Sequence, residues 1–256
     1  MKNLKNKTAF ITGVSSGFGK ATAYKLAENG MNLIISARRF ELIKKVAADI
    51  KKKYKVKVLP LKLDVRNYRE VKNAIKKLPA EWRRIEILIN NAGLSRGLTK
   101  IQDGVLLDWE EMIDTNVKGL LYVTKEIIPL MMENKSGHIV NIGSIAGHEV
   151  YAAGNVYCAT KHAVDALTKG MRLDLNGTPI KVSTVDPGLA ETEFSIVRFR
   201  GDKTRAKSVY NGVRPLYAED IAEAVEFIVT RDDEVNVAEI ILLPKAQANC
   251  STVFRS

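Results

Sequence analysis

Thr12-Gly13-Val14-Ser15-Ser16-Gly17-Phe18-Gly19 is the stretch on which the reading of the fold depends. Before it, Lys7 to Thr12 reads as a short buried strand, and after it an amphipathic helical pattern runs to Asn29-Gly30. Strand, glycine-rich turn and helix in that order set backbone N–H groups and the positive end of a helix dipole against a pyrophosphate. The glycines allow the tight turn, the close approach of main chain to phosphate, and the packing of helix on strand. The spacing is G-x-x-x-G-x-G rather than the commoner G-x-G-x-x-G. Taken alone it also suits a helix-capping turn whose glycines serve geometry only.

The alternation of strand and helix continues outward. Asn32 to Ala37 reads as a second strand, followed by Arg38-Arg39. An NAD site places an acid about 20 residues beyond the glycine turn to hold the ribose hydroxyls, whereas an arginine there suits a 2′-phosphate. The acid is missing, so Arg38 is expected to be the main NADP determinant and Arg39 its helper, each offering a donor fork matched to phosphate oxygens. Leu61-Lys62-Leu63-Asp64-Val65 ends a third strand, with the Asp64 carboxylate placed to accept from an adenine amino group. A fourth strand runs from Ile85 into Asn90-Asn91-Ala92-Gly93, and a long helical stretch from Asp108 carries Asp114-Thr115-Asn116-Val117-Lys118-Gly119. Asn116 is costly inside an otherwise apolar helix unless its amide is hydrogen-bonded. His138 to Ile142 makes a fifth strand closed by Gly143-Ser144; a last helix spans Ala218 to Thr230 and a last strand Glu239 to Leu243.

Tyr157-Cys158-Ala159-Thr160-Lys161 supplies the chemistry. One helical turn puts the tyrosine and lysine on the same face. The ammonium is expected to stabilise a phenolate and lower a pKa that is about 10 when unperturbed, which makes a proton-transfer catalyst near neutral pH.

Thr12 to Gly19, Asp64, Asn90 to Gly93, Asn116, Ser144, Tyr157, Lys161 and Pro187-Gly188 follow the order and spacing of the short-chain dehydrogenase/reductase family, which the chain resembles from Lys5 to Leu243. The resemblance implies an α/β fold: one Rossmann-type domain over residues 1–256, a doubly wound parallel sheet of seven strands, and a small substrate lid over residues 189–214. It implies NADP held at the turn by Gly13, Ser15, Ser16, Gly17, Phe18 and Gly19, then by Arg38, Arg39, Asp64 and Val65. Asn91, Ala92 and Gly93 continue that set, and Tyr157, Lys161, Pro187, Gly188 and Thr192 complete it. Asn116, Ser144, Tyr157 and Lys161 form the implied catalytic set. Tyr157 exchanges the proton of the substrate hydroxyl, and Lys161 holds the phenolate and the nicotinamide ribose. Ser144 holds the reacting oxygen, and Asn116 anchors a water in a relay to the lysine. Assembly as a homotetramer is implied in the same way.

A narrower resemblance lies in Ala80-Glu81-Trp82, Asp108-Trp109-Glu110, Gly154-Asn155-Val156-Tyr157 and Thr192-Glu193-Phe194-Ser195 with Val197-Arg198-Phe199 and Gly201-Asp202. These look like the NADP-dependent 3-hydroxy acid dehydrogenases, the group that includes serine 3-dehydrogenase and L-allo-threonine dehydrogenase. A hydroxy acid carries a carboxylate, for which an arginine is the natural bidentate partner. Arg198 is the expected partner among Arg198, Arg200, Arg205 and Arg214 of the lid segment. Two rivals stand beside this reading: a 3-oxoacyl-thioester or broad carbonyl reductase of the same fold, and an NADP-binding regulator that has lost its chemistry.

Composition agrees. With 256 residues, 46% of them hydrophobic, the chain can bury a full core as one domain. The formal charge is +11, but its lysines spread over helix faces and no nucleic-acid module accompanies them, so nucleic acid is not expected as a partner. Cys158 and Cys250 share no metal or redox spacing, and His138, His148 and His162 are scattered, so no metal is expected. The segment from Met1 to Lys7 lacks the apolar core of a signal peptide, and no run is long enough to span a bilayer, so a cytoplasmic protein is expected. Pro244 to Ser256 is read as a C-terminal tail, either frayed or, as in related oligomers, packed across a subunit interface.

Overall fold

Runs such as Ala9-Phe10-Ile11 and Leu33-Ile34-Ile35 are apolar throughout rather than alternating, which marks strands covered on both faces. The computed structural model describes residues 3–256; Met1 and Lys2, which open the N-terminal segment read above, lie outside them. In its first half β1 (Thr8–Thr12), α1 (Gly17–Glu28), β2 (Asn32–Ala37), α2 (Phe40–Tyr54), β3 (Val58–Lys62), α3 (Tyr68–Lys76) and β4 (Ile87–Asn90) alternate. There follow α4 (Leu106–Ile113), α5 (Gly119–Glu133), β5 (Gly137–Ile142), α6 (Asn155–Asp174) and β6 (Ile180–Pro187). The chain then passes through α7 (Glu193–Arg198), α8 (Lys203–Ser208) and α9 (Ala218–Val229) to β7 (Glu239–Leu242).

The strands described form one parallel sheet in the order β3-β2-β1-β4-β5-β6-β7. The order reverses between β1 and β4, and in open sheets of this kind the crevice beyond the carboxyl ends of those strands is where a ligand sits. Leu26 of α1, Ile43 of α2 and Val225 of α9 pack with Ile11 and Ile35 on one face. Val71 of α3, Ile127 of α5 and Met171 of α6 pack with Phe10 and Leu88 on the other. Helix α2 shows the sequence logic: Ile43, Val46, Ala47 and Ile50 recur at helical spacing and are buried, while Lys51 to Lys53 stay exposed. Each such fully buried side chain contributes roughly 1.5–3 kcal/mol.

Two expectations need correction. The third strand ends at Lys62 and not at Val65, because its partner β2 ends at Ala37; Asp64 therefore lies in a loop. The helical stretch expected from Asp108 begins at Leu106 and is interrupted by a π-helical turn over Asp114–Lys118. The wider turn carries the buried Asn116, and a Cβ at Gly119 just beyond it would stand 2.6 Å from Val65 Cγ2. Single π-turns inside α-helices are frequent at functional sites. No helix among the described residues is long and apolar enough to cross a membrane.

The tail from Pro244 folds back on its own chain. Gln247 Oε1 accepts from the Leu189 N–H (2.7 Å), Arg255 Nη1 donates to the Asn211 carbonyl (2.5 Å), and the Ser256 N–H donates to the Gly212 carbonyl (3.1 Å). The tail thus holds the 189–214 segment near both of its ends.

Candidate active site

A cleft of ≈ 450 Å³ opens over the switch point between β1 and β4. A smaller cavity of ≈ 200 Å³ adjoins it, and Tyr157, Phe18, Gly143, Thr192 and Phe194 line both.

The glycine turn forms the floor of the cleft. Gly13 and Gly17 have φ of 73° and 54°, backbone that side-chain-bearing residues rarely adopt. Asn91 ties the turn to the loop after β4, its Nδ2 donating to the carbonyls of Thr12 (2.8 Å) and Gly13 (3.2 Å). Gly13, Ser15, Ser16, Gly17, Phe18, Asn91, Ala92 and Gly93 all line the cleft. Gly19 does not line it; a Cβ there would meet Asn91 Nδ2 at 2.3 Å, so its role is packing. Pro187 and Gly188 line the smaller cavity instead.

At the far end, Arg38 and Arg39 line the cleft with Asp64 and Val65. The sequence reading ranked Arg38 first, but it is Arg39 that rests on the turn, donating to Ser15 Oγ (2.9 Å) and Ser16 Oγ (2.9 Å) while pairing with Glu193 of α7 (3.0 Å). Arg38 faces Glu111 at 3.5 Å. Arg96, Arg38 and Arg66 surround Glu111 and hold its carboxyl below its usual range, the Arg96 hydrogen bond having the largest effect. The Asp64 carboxylate is occupied by Arg66 (2.6 Å). Burial pushes that carboxyl up, and the hydrogen bonds from Arg66 outweigh it and hold it low.

The residues expected to be catalytic lie near Tyr157. Asn116 accepts from the Leu94 N–H (2.8 Å) and donates to the Leu94 carbonyl (2.8 Å) and Thr160 Oγ1 (3.0 Å). Those bonds offset the cost of its burial and fix the loop after β4 against α6. Ser144 Oγ caps the turn after β5 by accepting from the Ala146 N–H (3.1 Å), and its own N–H donates to Asp186 Oδ1 (3.0 Å). Lys161 Nζ donates to the Ile142 carbonyl (2.9 Å) and stands 6.0 Å from the Tyr157 ring. Burial lowers the Lys161 ammonium from 10.5 to about 8, against the pull of Asp186.

The expectation that Lys161 lowers the tyrosine is corrected by this geometry. Burial raises the Tyr157 hydroxyl above its usual 10.0; the groups that pull it back are the Arg198 guanidinium and then Ser144. Arg198 lies 5.3 Å from the Tyr157 ring centroid, 5.1 Å from that of Phe194 and 5.9 Å from that of Tyr151. Its Nη2 donates to Tyr151 Oη (2.8 Å), while its Nε is buried without a hydrogen-bond partner. Among the described residues no acid pairs with it. Arg198, Ser144 and Tyr157 line the smaller cavity together. Thr192 caps α7, its Oγ1 accepting from the Phe194 N–H (3.1 Å), and lines both cavities.

Sequence reasoning missed Tyr151, Glu111 and Gln247, which carry no motif, and the pairing of Glu193 with Arg39; all act through contacts with distant residues. His148 Nε2 meets Glu239 Oε1 at 3.1 Å and Asp186 Oδ2 at 3.4 Å.

A family model described as short chain dehydrogenase matches residues 7–202. The NADP-dependent 3-hydroxy acid dehydrogenase of Schizosaccharomyces pombe is 44% identical over 256 residues, covering 100% of this chain and 99% of that protein. Sulfoacetaldehyde reductase 2 of Chromohalobacter salexigens is 42% identical over 239 residues, 93% of this chain and 94% of that protein. Among solved structures, the closed form of serine dehydrogenase complexed with NADP+ matches with a TM-score of 0.90 at 39% identity, over 97% of this chain and 100% of that one.

Proposed function

The chain belongs to the short-chain dehydrogenase family and is an NADP-dependent oxidoreductase acting on CH–OH groups; we propose that its substrates are small hydroxy acids such as L-serine or L-allo-threonine, oxidised at the 3-hydroxyl. The observation that carries this reading is Arg198, a guanidinium with no acidic partner among the described residues, facing the same ≈ 200 Å³ cavity as Tyr157 and Ser144. That cavity suits a small molecule, and the guanidinium fork suits its carboxylate.

The cleft fits NADP on its own geometry. The left-handed backbone at Gly13 and Gly17 brings main chain close to where a pyrophosphate would lie, and a Cβ at Gly13 would stand 2.7 Å from Asn91 Nδ2. Ser15, Ser16 and the N-terminus of α1 would hold the pyrophosphate, with Arg39 and Arg38 on the 2′-phosphate. When bound, NADP+ supplies the hydride acceptor.

The chain's own residues handle the proton. Tyr157 Oη, as phenolate, accepts the proton of the substrate hydroxyl, and in reduction it donates it. The Ser144 hydroxyl holds the reacting oxygen, as donor or acceptor. Arg198 and Lys161 are the cations that favour the phenolate, and Asn116 fixes the loop that backs Lys161. Residues 189–214 act as a lid whose α7 contributes Arg198, and the tail from Pro244 fastens it. Assembly as a homotetramer is carried over from the family resemblance, and light scattering on the purified protein would measure it.

The similarity to a sulfoacetaldehyde reductase supports a second reading in which Arg198 takes a sulfonate. NADP+ reduction followed at the nicotinamide absorbance, with L-serine, L-allo-threonine, 3-hydroxypropionate and 2-hydroxyethanesulfonate in parallel, tests both. Turnover of the hydroxy acids supports the first reading. Turnover of the sulfonate alone supports the second, and activity confined to acetoacetyl thioesters or neutral ketones removes both. Tyr157→Phe should lose roughly 10²–10⁴-fold in kcat while NADPH still binds by fluorescence; retained turnover would remove Tyr157 as the proton carrier.

A further inference from the structure

Beneath Ser144 lies a charged cluster that the proton-transfer scheme does not use. Asp186, at the end of β6, is 2% exposed. Its Oδ1 accepts from the Ser144 N–H (3.0 Å) and from Thr184 Oγ1 (3.1 Å), so the carboxylate grips the main chain that presents the catalytic serine. The grip is tight: a Cβ at Gly143 would stand 1.8 Å from Asp186 Oδ1, so the residue before Ser144 has no room for a side chain. Oδ2 is buried and accepts no hydrogen bond. It faces His148 Nε2 at 3.4 Å, and the same nitrogen faces Glu239 Oε1 of β7 at 3.1 Å. Asp186 also acts on Lys161 of α6 as the charge that favours its ammonium. One buried carboxylate therefore touches the backbone of one catalytic residue and supports the charge of another, and the imidazole of His148 and the carboxylate of Glu239 face it.

We propose that Asp186 is a positioning residue for the reaction, fixing the Ser144 turn and sustaining the Lys161 charge, and that His148, shared with Glu239, is the group that keeps Asp186 ionised. The inference rests on the reading of Tyr157 as proton carrier and deepens it. The direction of the effect follows from burial. Desolvation raises the Asp186 carboxyl from 3.8 to about 6, and His148 is the strongest opposing influence. Removing the imidazole that opposes the effect of burial makes the carboxyl protonate at higher pH. Glu239 raises it further by like charge, so its loss acts in the opposite sense.

The test compares His148→Gln, His148→Arg, Glu239→Gln and Asp186→Asn with the unaltered protein, using whichever alcohol or carbonyl substrate turns over. It measures kcat and KM between pH 5 and 9, NADPH affinity by fluorescence, and thermal unfolding. In His148→Gln the acid limb of kcat should move up by about one pH unit, with kcat near pH 6.5 reduced roughly threefold and NADPH affinity kept. His148→Arg, whose cation never titrates, should restore kcat and carry the limb below that of the unaltered protein. Glu239→Gln should also shift the limb down. Asp186→Asn should lose kcat without losing NADPH binding; if it does not fold, the His148 and Glu239 variants decide. Superimposable pH profiles overturn the proposal. So does a kcat loss in His148→Gln that tracks losses of NADPH affinity and melting temperature and that arginine does not rescue. Tyr157→Phe, run alongside, separates the two claims, because turnover surviving there removes the proton-carrier reading whatever the cluster variants do.

Discussion

Arg38 and Arg39 at one end of the cleft and Arg198 at the other carry the same charge in different surroundings. The first two have side chains 48% exposed, and each faces a glutamate, Glu111 and Glu193. Arg198 is set among three aromatic rings, donates to one phenol and meets no acid among the described residues. An exposed ion pair contributes about 0–1 kcal/mol, so a phosphate can displace a glutamate there at little cost. A guanidinium already stripped of much of its water gains more from an arriving oxyanion. Cofactor recognition is therefore expected to be divided among several weak contacts and to be salt-sensitive, while substrate recognition hangs on one strong contact.

The sharpest break would come at the substrate end. Arg198→Met should lower kcat/KM for hydroxy acids by roughly 100- to 1000-fold, in keeping with about 2–5 kcal/mol for one partner of a desolvated charge pair. A neutral ketone should lose less, only the part due to the pull of Arg198 on Tyr157, and an equal loss for both substrates would remove Arg198 as the carboxylate partner.

Lys161 sharpens the contrast from another side, since a buried lysine can relieve its desolvation by losing a proton and an arginine cannot. Its ammonium is lowered from 10.5 to about 8. Between those pH values the unfolded chain binds the proton that the folded protein has released, so stability rises with pH across that window. Relative to Lys161→Met, the unaltered protein should gain up to ~3 kcal/mol of unfolding free energy between pH 8 and 10.5. Urea unfolding at both ends of the window measures this; parallel stabilities would mean that Lys161 stays charged.

The cofactor end should respond least. Arg39→Ala should weaken NADP+ binding roughly tenfold and Arg38→Ala by a similar or smaller factor, as expected for about 1.5–3 kcal/mol per hydrogen bond to a charged group, with NAD+ affinity unmoved. Glu193→Gln, which frees Arg39 from α7, should tighten NADP+ by only a few-fold, the scale of an exposed pair. A larger effect of Glu193→Gln than of Arg39→Ala would reverse the ranking of the two ends.

The two ends also differ in how much of them could be read from the chain. At the cofactor end the glycine turn, the exit of β2 with Arg38-Arg39 and the Asn90 to Gly93 loop are short contiguous stretches whose geometry follows from local residue type. At the substrate end the wall is assembled from Ser144, Tyr151, Tyr157, Gly188, Arg198 and Gln247, which lie on separate segments. Arg198 was singled out because it lies in the stretch that resembles the hydroxy acid dehydrogenases; Tyr151, which receives its hydrogen bond, was not, because nothing in a lone tyrosine names its partner. The expected downward shift of Tyr157 had the same weakness. Residue type fixed the candidates, but the neighbouring carboxylates and the depth of burial set the outcome.

By itself the sequence determined the alternation of strands and helices, the left-handed glycine turn, the i,i+4 placement of Tyr157 and Lys161, and the absence of an acid after β2. All of these are decided within a few residues by backbone sterics, hydrophobic period and side-chain chemistry. Only the tertiary structure decided that Arg39 rather than Arg38 rests on the turn, that Arg198 joins Lys161 beside the Tyr157 ring, that Asp186 holds Ser144 with His148 at its back, and that the tail fastens the 189–214 segment. Each of those depends on which groups the sheet brings within a few ångströms of one another and on how much water it removes from around them, and electrostatic effects change most steeply with those two quantities.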